Sequence, residues 1–369
     1  MIISGLEVRA CSALQDAAAE ALRGQAGGAR HDFLVYTVRT ECGRSASMFG
    51  FAGASARGSA HIAASLEPLL KGRSVHDREA LWHDYRQRDR MWGHFPIYVW
   101  GPVDTCLWML AAEAANLPLY KYIGAVRHSI PVYVSSMFLD TADDYVAEAL
   151  AGKQAGFAAY KLHPPGKSVE ADLEIHAAVR KAVGDNFPLM SDPVAFMTLP
   201  DALRYGRGLE RLGFKWLEEP MADENIPALA ELTRQLDIPV VGTETIAKHP
   251  YSLADIVARN VVDVIRADVS WSGGVTGVLK SAHLAEAFAM NCEIHTAIFH
   301  PLELVNLHLA AAIRNCTWLE LLCPVEDFSF GLKGSLPVEN GIATLPDTPG
   351  LGRELDWDLI DNSTLEVLN

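Results

Sequence analysis

From Ile130 onward, short apolar runs alternate with longer stretches whose apolar positions recur every three or four residues, a pattern that predicts strand and helix in succession. Strands are predicted at Pro131 to Ser135 and Ala158 to His163, then in runs ending at Asp192, Glu218, Thr243, Asp268, His295 and Glu320. Helices are predicted between them, among them Thr141 to Gly156, Val169 to Val183, Pro200 to Leu212, Ile226 to Leu236, Val275 to Met290 and Leu302 to Ile313. Asp192, Glu218 and Glu244 follow one another at equal intervals of 26 residues, and Asp268, His295 and Glu320 come after steps of 24, 27 and 25. A strand, a loop and a helix together need roughly 25 to 30 residues, so this spacing is that of consecutive βα units. Eight strands and seven complete helices predict an α/β chain with a (β/α)7β barrel, a modified TIM barrel, in which all strand ends meet at one face.

The pattern before residue 130 is different. Strand-like runs at Ile2 to Ala10 and Phe33 to Thr40 flank a small-residue segment, Ala17 to Ala29, that reads as a mobile loop. A Gly/Ala/Ser-rich stretch from Gly50 to Ser59 leads into helical patterns over His61 to Leu70, Asp77 to Arg90 and Val103 to Ala115. Strands followed by a run of helices predict an α+β capping domain over residues 1–129, ahead of a barrel over 130–323. The Gly- and Pro-rich tail, 324–369, is expected to return to the capping domain and complete it. Ser12 to Arg30 and Met48 to Arg57 are expected to close over the barrel mouth and set specificity. Met48, Phe49 and Phe51 would make that lid partly apolar, or else pack against the barrel rim.

Composition narrows the function. The 369 residues are too many for one ordinary core and enough for a barrel with a second domain. Hydrophobic residues at 50% and charged residues at 21% describe a globular protein with a large core. A net charge of −15 argues against nucleic-acid and anionic-membrane partners, and an anionic substrate would need local positive charge such as a metal ion or Lys161. The six cysteines show no paired short spacing and read as free thiols of a reducing cytoplasm. No signal-peptide pattern opens the chain and no run of about 18 apolar residues occurs, so a cytoplasmic location is expected.

Three carboxylates from successive strands, Asp192, Glu218 and Glu244, suit a hard divalent cation: magnesium prefers oxygen ligands and would keep positions open for a substrate carboxylate. Carboxylates also end strands as helix caps, but three at even spacing in consecutive units outweigh that reading. Zinc is disfavoured because no His or Cys is expected beside the three. Glu219 should point away from the metal and orient a neighbouring group. Asp268 and His295, at adjacent strand ends, suit a carboxylate that holds an imidazole in one tautomer as a general acid or base. Lys161 and His163 share a face of one strand and offer a base or an anion-holding cation on the other side of the pocket. Glu320 could donate a hydrogen bond if protonated, or act as a structural acceptor. His31, His61, His94 and His300 are read as structural.

These residues resemble the enolase superfamily, in its mandelate racemase-like branch. The resemblance runs through Gly101-Pro102-Val103-Asp104-Thr105, Leu117-Pro118-Leu119-Tyr120, Gly156-Phe157 leading to Lys161, and Leu217-Glu218-Glu219-Pro220. It continues through Ile238-Pro239-Val240 leading to Glu244, Gly273-Gly274-Val275-Thr276-Gly277 after Asp268, and Trp318-Leu319-Glu320. It implies one Mg2+ per subunit on Asp192, Glu218 and Glu244, an Asp268/His295 acid–base dyad, and Glu320 as an electrophilic hydrogen-bond donor. It also implies a homo-oligomer, octamers being common. Two positions depart from the branch. His163 stands where a second lysine is frequent, leaving Lys161 or His163 as the acid–base on that side, and Pro193-Val194 follow Asp192 where an Asn is common.

The resemblance implies removal of the proton next to a substrate carboxylate, with charge stabilised by metal and preorganised donors. Loss of a β-hydroxyl then gives a 2-keto-3-deoxy acid, the expected activity being that of a sugar-acid dehydratase. Racemisation or epimerisation, lactone cycloisomerisation, and a non-catalytic metal-binding role are the alternatives.

Overall fold

In the computed structural model, which describes residues 1–14, 30–245 and 250–369, strands β1 (Ile3–Leu14), β2 (Arg30–Thr40) and β3 (Ser45–Phe51) form an antiparallel sheet. The segment expected to be a mobile loop, and nearly all of the predicted specificity loop Ser12 to Arg30, lie outside the described residues. The third strand was not predicted. Its polar start and Gly50 mask the pattern, but Gly50 is the one residue that fits there: a Cβ would come within 2.7 Å of both Pro102 and Tyr36. Met48 and Phe49 are therefore sheet core rather than lid. Phe49 stacks on Phe33 at 4.7 Å and lies against Phe299 and Phe330, so packing at the barrel rim is what this stretch does.

Helices follow at Ala56–Ala64, Glu67–Leu70, Arg78–Arg88 and Ile97–Ala114. The predicted His61 to Leu70 helix is thus two helices. The predicted Val103 start lies six residues late because Pro102 sits inside the long helix rather than before it.

Then come β4 (Ser129–Phe138), β5 (Tyr160–His163), β6 (Leu189–Ser191), β7 (Leu217–Glu218), β8 (Val240–Gly242), β9 (Val264–Ala267), β10 (Asn291–Ile294) and β11 (Leu319–Leu322). They are parallel neighbours in that order, with β11 returning to pair β4. The seven intervening helices are amphipathic where one side meets water. Val169–Val183, for instance, buries Val169, Asp172, Ile175, His176, Val179, Arg180 and Val183 at three- and four-residue steps. The ladder is open only between β10 and β11. There, side chains replace it: Glu293 accepts from the N–H groups of Thr317 and Trp318, and Glu320 accepts from that of Thr296 at 3.1 Å.

Side-chain alternation along these strands sorts the barrel interior into layers. Tyr133, Ala159, Met190, Trp216 and Val241, with Val264 and Trp318, form an apolar cluster of their own. Two residues further along the strands come Ser135, Lys161, Asp192, Glu218, Arg266 and Glu320, all buried and all polar. The mouth of the barrel is this second layer.

The tail adds the hairpin β12 (Val338–Glu339) and β13 (Ile342–Thr344) against the start of β4, then β14 (Thr364–Leu368), which pairs β1. The seam between capping helices and barrel is built at the Gly-Gly-Val-Thr-Gly segment. Gly274 (φ +84) leaves room for Gly101 and Asp104, where a Cβ would meet Gly101 O and Asp104 Oδ2 at 2.7 Å. Asp104 then accepts from Thr276 N (2.8 Å) and Thr276 Oγ1 (2.6 Å), capping helix Gly274–Ala287 from across the seam. All six cysteines are unpaired, with Cys42 exposed rather than buried. Among the described residues no helix is long and apolar enough to cross a membrane.

Candidate active site

The strands deliver their polar ends to one place. Lys161, on β5, reaches Glu320 Oε1 at 2.8 Å, Glu218 Oε1 at 3.0 Å and Asp192 Oδ2 at 3.3 Å. His163, two residues on, donates from Nδ1 to Ser136 O and turns Nε2 to Asp192 Oδ2 at 3.2 Å. His295 follows β10 directly, with Nδ1 3.3 Å from Asp268 Oδ2 and Nε2 3.2 Å from Glu244 Oε1. Asp268 is itself pinned, its Oδ1 accepting from Ser270 N (2.6 Å) and Trp271 N (3.0 Å). All eight residues expected at the site therefore converge. Glu320 differs in place only: it lies inside β11 rather than at its end, in the same polar layer as Lys161.

The two imidazoles correct one expectation. His163 and His295 each stand with a carboxylate of the Asp192, Glu218, Glu244 set, so the three are not free of histidine. Glu219 does turn away, and its Oε1 accepts from Glu244 N at 2.9 Å, holding the backbone that carries Glu244.

The backbone around these groups is strained. Val194 (φ 53) and Ala195 (φ 63) follow Asp192, Glu219 (φ 35) follows Glu218, Thr243 (φ 80) precedes Glu244, and Ile298 (φ 67) lies three residues past His295. Such conformations cost on the order of 1–3 kcal/mol each in non-glycine residues and concentrate where function needs them.

Electrostatics organise the cluster. Burial alone would lower the Lys161 ammonium, but Glu218, Glu320 and Asp192 outweigh it and hold its proton firmly. Burial would raise Asp192, yet Lys161 and His163 hold its carboxyl well below the usual range. Burial likewise opposes a charge on His295, but Glu244 and Asp268 raise it to about 10. Glu219 is pushed up to about 9 by burial and by Glu244, Asp192 and Asp223. Glu244 is also raised, burial and the charges of Asp192 and Glu218 outweighing His295.

Arg266 was not anticipated. Fully buried, it brings Nε to 2.8 Å from Glu218 Oε1 and bonds Glu320 through Nη2. It also donates to Tyr133 OH (3.2 Å), Ile294 O (3.2 Å) and Glu293 O (3.4 Å). The signal was strand parity: Arg266 is two residues before Asp268 and faces the same way. With both Lys161 and Arg266 beside it, Glu320 is held ionised despite its burial. Ser135, inward on β4 with a buried hydroxyl that has no hydrogen-bond partner among the described residues, was missed in the same way.

A hard cation fits this donor set. Asp192 Oδ2 and Glu218 Oε1 already converge on one cationic nitrogen, that of Lys161. Glu218 Oε1 is buried, and Lys161 Nζ at 3.0 Å and Arg266 Nε at 2.8 Å already gather positive charge at it, the role a hard cation would share. Among the described residues no three carboxyl or imidazole groups are drawn together as a closed cage. Lys161 and His295 occupy the space between the oxygens and supply the compensating charge.

Residues 144–359 match the family described as enolase C-terminal domain-like. The chain belongs to the enolase superfamily. An arabinonate dehydratase of Saccharolobus solfataricus is 30% identical to this superfamily member over 295 residues, 78% of each chain. A 3,6-anhydro-alpha-L-galactonate cycloisomerase of Streptomyces coelicolor is 28% identical over 349 residues, 90% of this chain and 91% of that one. The crystal structure of D-glucarate dehydratase from Agrobacterium tumefaciens, complexed with magnesium, superposes with a TM-score of 0.87 at 33% identity, covering 99% of this chain and 100% of that one. This superfamily member is accordingly an enzyme.

Proposed function

We propose that the chain is a magnesium-dependent sugar-acid dehydratase, in which Asp192, Glu218 and Glu244 hold the ion. Bound magnesium supplies positive charge against which a substrate carboxylate can accumulate electron density as its neighbouring proton leaves. The chain's own groups handle the protons. Lys161 and His163 stand on β5 and His295 directly after β10, so a substrate at the mouth has a proton-transfer group on either side. His163, whose Nδ1 is engaged on Ser136 O, takes the α-proton through Nε2 while Lys161 stays charged beside it, and His295, oriented by Asp268, returns a proton to the β-hydroxyl as its C–O bond breaks and water departs. The enol left behind tautomerises to the 2-keto-3-deoxy acid. Glu320, ionised between Lys161 and Arg266, acts here as the acceptor that orients Lys161 rather than as a donor.

The observation that carries this reading is geometric: Asp268 holds the His295 imidazole at 3.3 Å, across the barrel mouth from Lys161 and His163, so a leaving hydroxyl has an oriented acid beside it. Dehydratases that act on arabinonate and glucarate among the relatives support the substrate class. A second reading, lactone cycloisomerisation, is favoured by the cycloisomerase whose match spans 90% of this chain.

Purified, magnesium-loaded enzyme screened against mono- and diacid sugars, with 2-keto products trapped by semicarbazide and α-proton exchange followed in D2O, separates these readings. A keto product that disappears in His295→Asn establishes dehydration. Exchange without a keto product would instead mean racemisation or epimerisation, and turnover of lactones alone would mean cycloisomerisation.

A further inference from the structure

The helix His300–Ala312 is buried along its whole length, and among its polar side chains are two one turn apart, Glu303 and Asn306. A buried carboxylate is costly unless its lone pairs are matched, and those of Glu303 are. Its Oε1 accepts from Ala297 N (2.5 Å), Ile298 N (2.9 Å) and Thr296 Oγ1, and its Oε2 accepts from Asn306 Nδ2 at 3.1 Å. Asn306 passes the tie onward. Its Nδ2 donates to His295 O at 3.0 Å, and its Oδ1 accepts from Val269 N at 3.3 Å.

The two segments joined in this way are those that carry Asp268 and His295. Val269 is the residue after Asp268, and Thr296 to Ile298 is the turn directly after His295. That turn includes Ile298 at φ +67, a left-handed conformation a β-branched residue does not adopt unaided, and the Ile298 N–H is one of those that Glu303 holds. The turn is also tied by Thr296 N on Glu320 and, within itself, by Ile298 N on Thr296 Oγ1 and Phe299 N on Ala297 O.

We propose that Glu303 and Asn306 are the positioning residues of the acid–base pair: together they fix the backbone on both sides of the Asp268–His295 hydrogen bond and so set its length and the direction of the imidazole. Neither touches substrate, so they act through His295. The proposal rests on the reading of that pair as catalytic, and its test has one arm that does not need turnover.

Glu303→Ala, Glu303→Gln and Asn306→Ala are compared with the parent as magnesium-loaded enzyme. The imidazole 15N resonances of His295, assigned by their loss in His295→Asn, report the Nδ1 hydrogen bond directly. Turnover on the best sugar acid is measured alongside. Glu303→Ala and Asn306→Ala are expected to move the Nδ1 resonance and to lower kcat by roughly 10- to 100-fold with KM within about threefold, the size of effect that small misplacements of a catalytic group produce. Glu303→Gln keeps the acceptor facing residues 296–298 but sets its amide NH2 against Asn306 Nδ2, so it should recover part of both and stand between Glu303→Ala and the parent. If Glu303→Ala does not fold, Glu303→Gln and Asn306→Ala carry the comparison. An unmoved Nδ1 resonance in folded variants, or a loss of thermal stability with kcat intact, overturns the proposal. A moved resonance in an enzyme that turns over none of the sugar acids leaves the positioning role standing and sinks the dehydratase reading instead.

Discussion

Arg266→Met tests whether the barrel's polar layer is a balance of charge or merely a set of packed side chains. Methionine keeps most of the stem volume and removes the guanidinium. Glu218 and Glu320 are then left with Lys161, at 3.0 and 2.8 Å, as their remaining cation. Removing one partner of a buried ion pair costs about 3–5 kcal/mol, and the lower end applies here because Lys161 still serves both carboxylates. The carbonyls of Glu293 and Ile294 lose their donor at the place where the β10–β11 ladder is open, adding about 1 kcal/mol. The expected loss is therefore about 4 kcal/mol, a large share of the 5–15 kcal/mol by which domains are usually stable, and on the order of 10 °C in the thermal midpoint.

Urea unfolding followed by tryptophan fluorescence, with and without millimolar Mg2+, measures both halves of the argument. Magnesium should stabilise Arg266→Met more than the parent, because the variant's carboxylates lack a counter-charge that the ion can supply. Arg266→Lys keeps the charge but loses the fork that spans Glu218, Glu320 and the β10 carbonyls, and should fall between the two. A cost under about 1 kcal/mol for Arg266→Met, or an equal response to magnesium in both proteins, would refute the reasoning.

His308 gives the pH dependence. Its Nδ1 accepts from Tyr120 N (3.1 Å) and its Nε2 donates to Leu351 O (3.1 Å), so a second proton would face an N–H; burial pushes its pKa down to about 4. The unfolded chain binds a proton there near pH 6.5 and the folded chain does not, so this contribution is complete above 6.5 and is lost as pH falls toward 4, at about 1.4 kcal/mol per pH unit. His308→Gln should flatten the slope of stability against pH by one proton across that window in denaturant titrations; an unchanged slope would mean that His308 takes up its proton in the folded chain as readily as in the unfolded one. Gly274→Ala should loosen the seam, since the new methyl meets Gly101 O and Asp104 Oδ2 at 2.7 Å on a backbone at φ +84. A cost on the order of 2 kcal/mol is expected from calorimetry, and a neutral result would mean the capping helices are free to shift.

How much of this was legible beforehand depended on which physical signal each residue left. A parallel barrel strand buried on both faces reads as an apolar run, so a charged residue at its end stands out, and the βα repeat then says which ends share a mouth. Lys161, Asp192, Glu218, Glu244, Asp268 and His295 were visible for that reason. Arg266 sits within its run, where Val264-Ile265-Arg266-Ala267 still looks like a strand with one blemish; only parity with Asp268 marks it as inward. Strand β3 lacked the apolar density of its neighbours because Gly50 must be small to let Pro102 and Tyr36 approach.

Glu303 and Asn306 left a fainter trace still. A helix that meets water shows its buried side by contrast with its polar side, but His300–Ala312 has no wet side, so polar residues on it look like the missing surface rather than the deepest part of the core. Yet a carboxylate and an amide one turn apart on a wholly buried helix must have partners, since neither would be kept dry without them. In this fold the backbone groups that the pair meets belong to the loops that end β9 and β10. The same requirement that makes the pair costly therefore points it at Asp268 and His295, and the open edge between β10 and β11 is closed by side chains whose geometry the proton-transfer groups depend on.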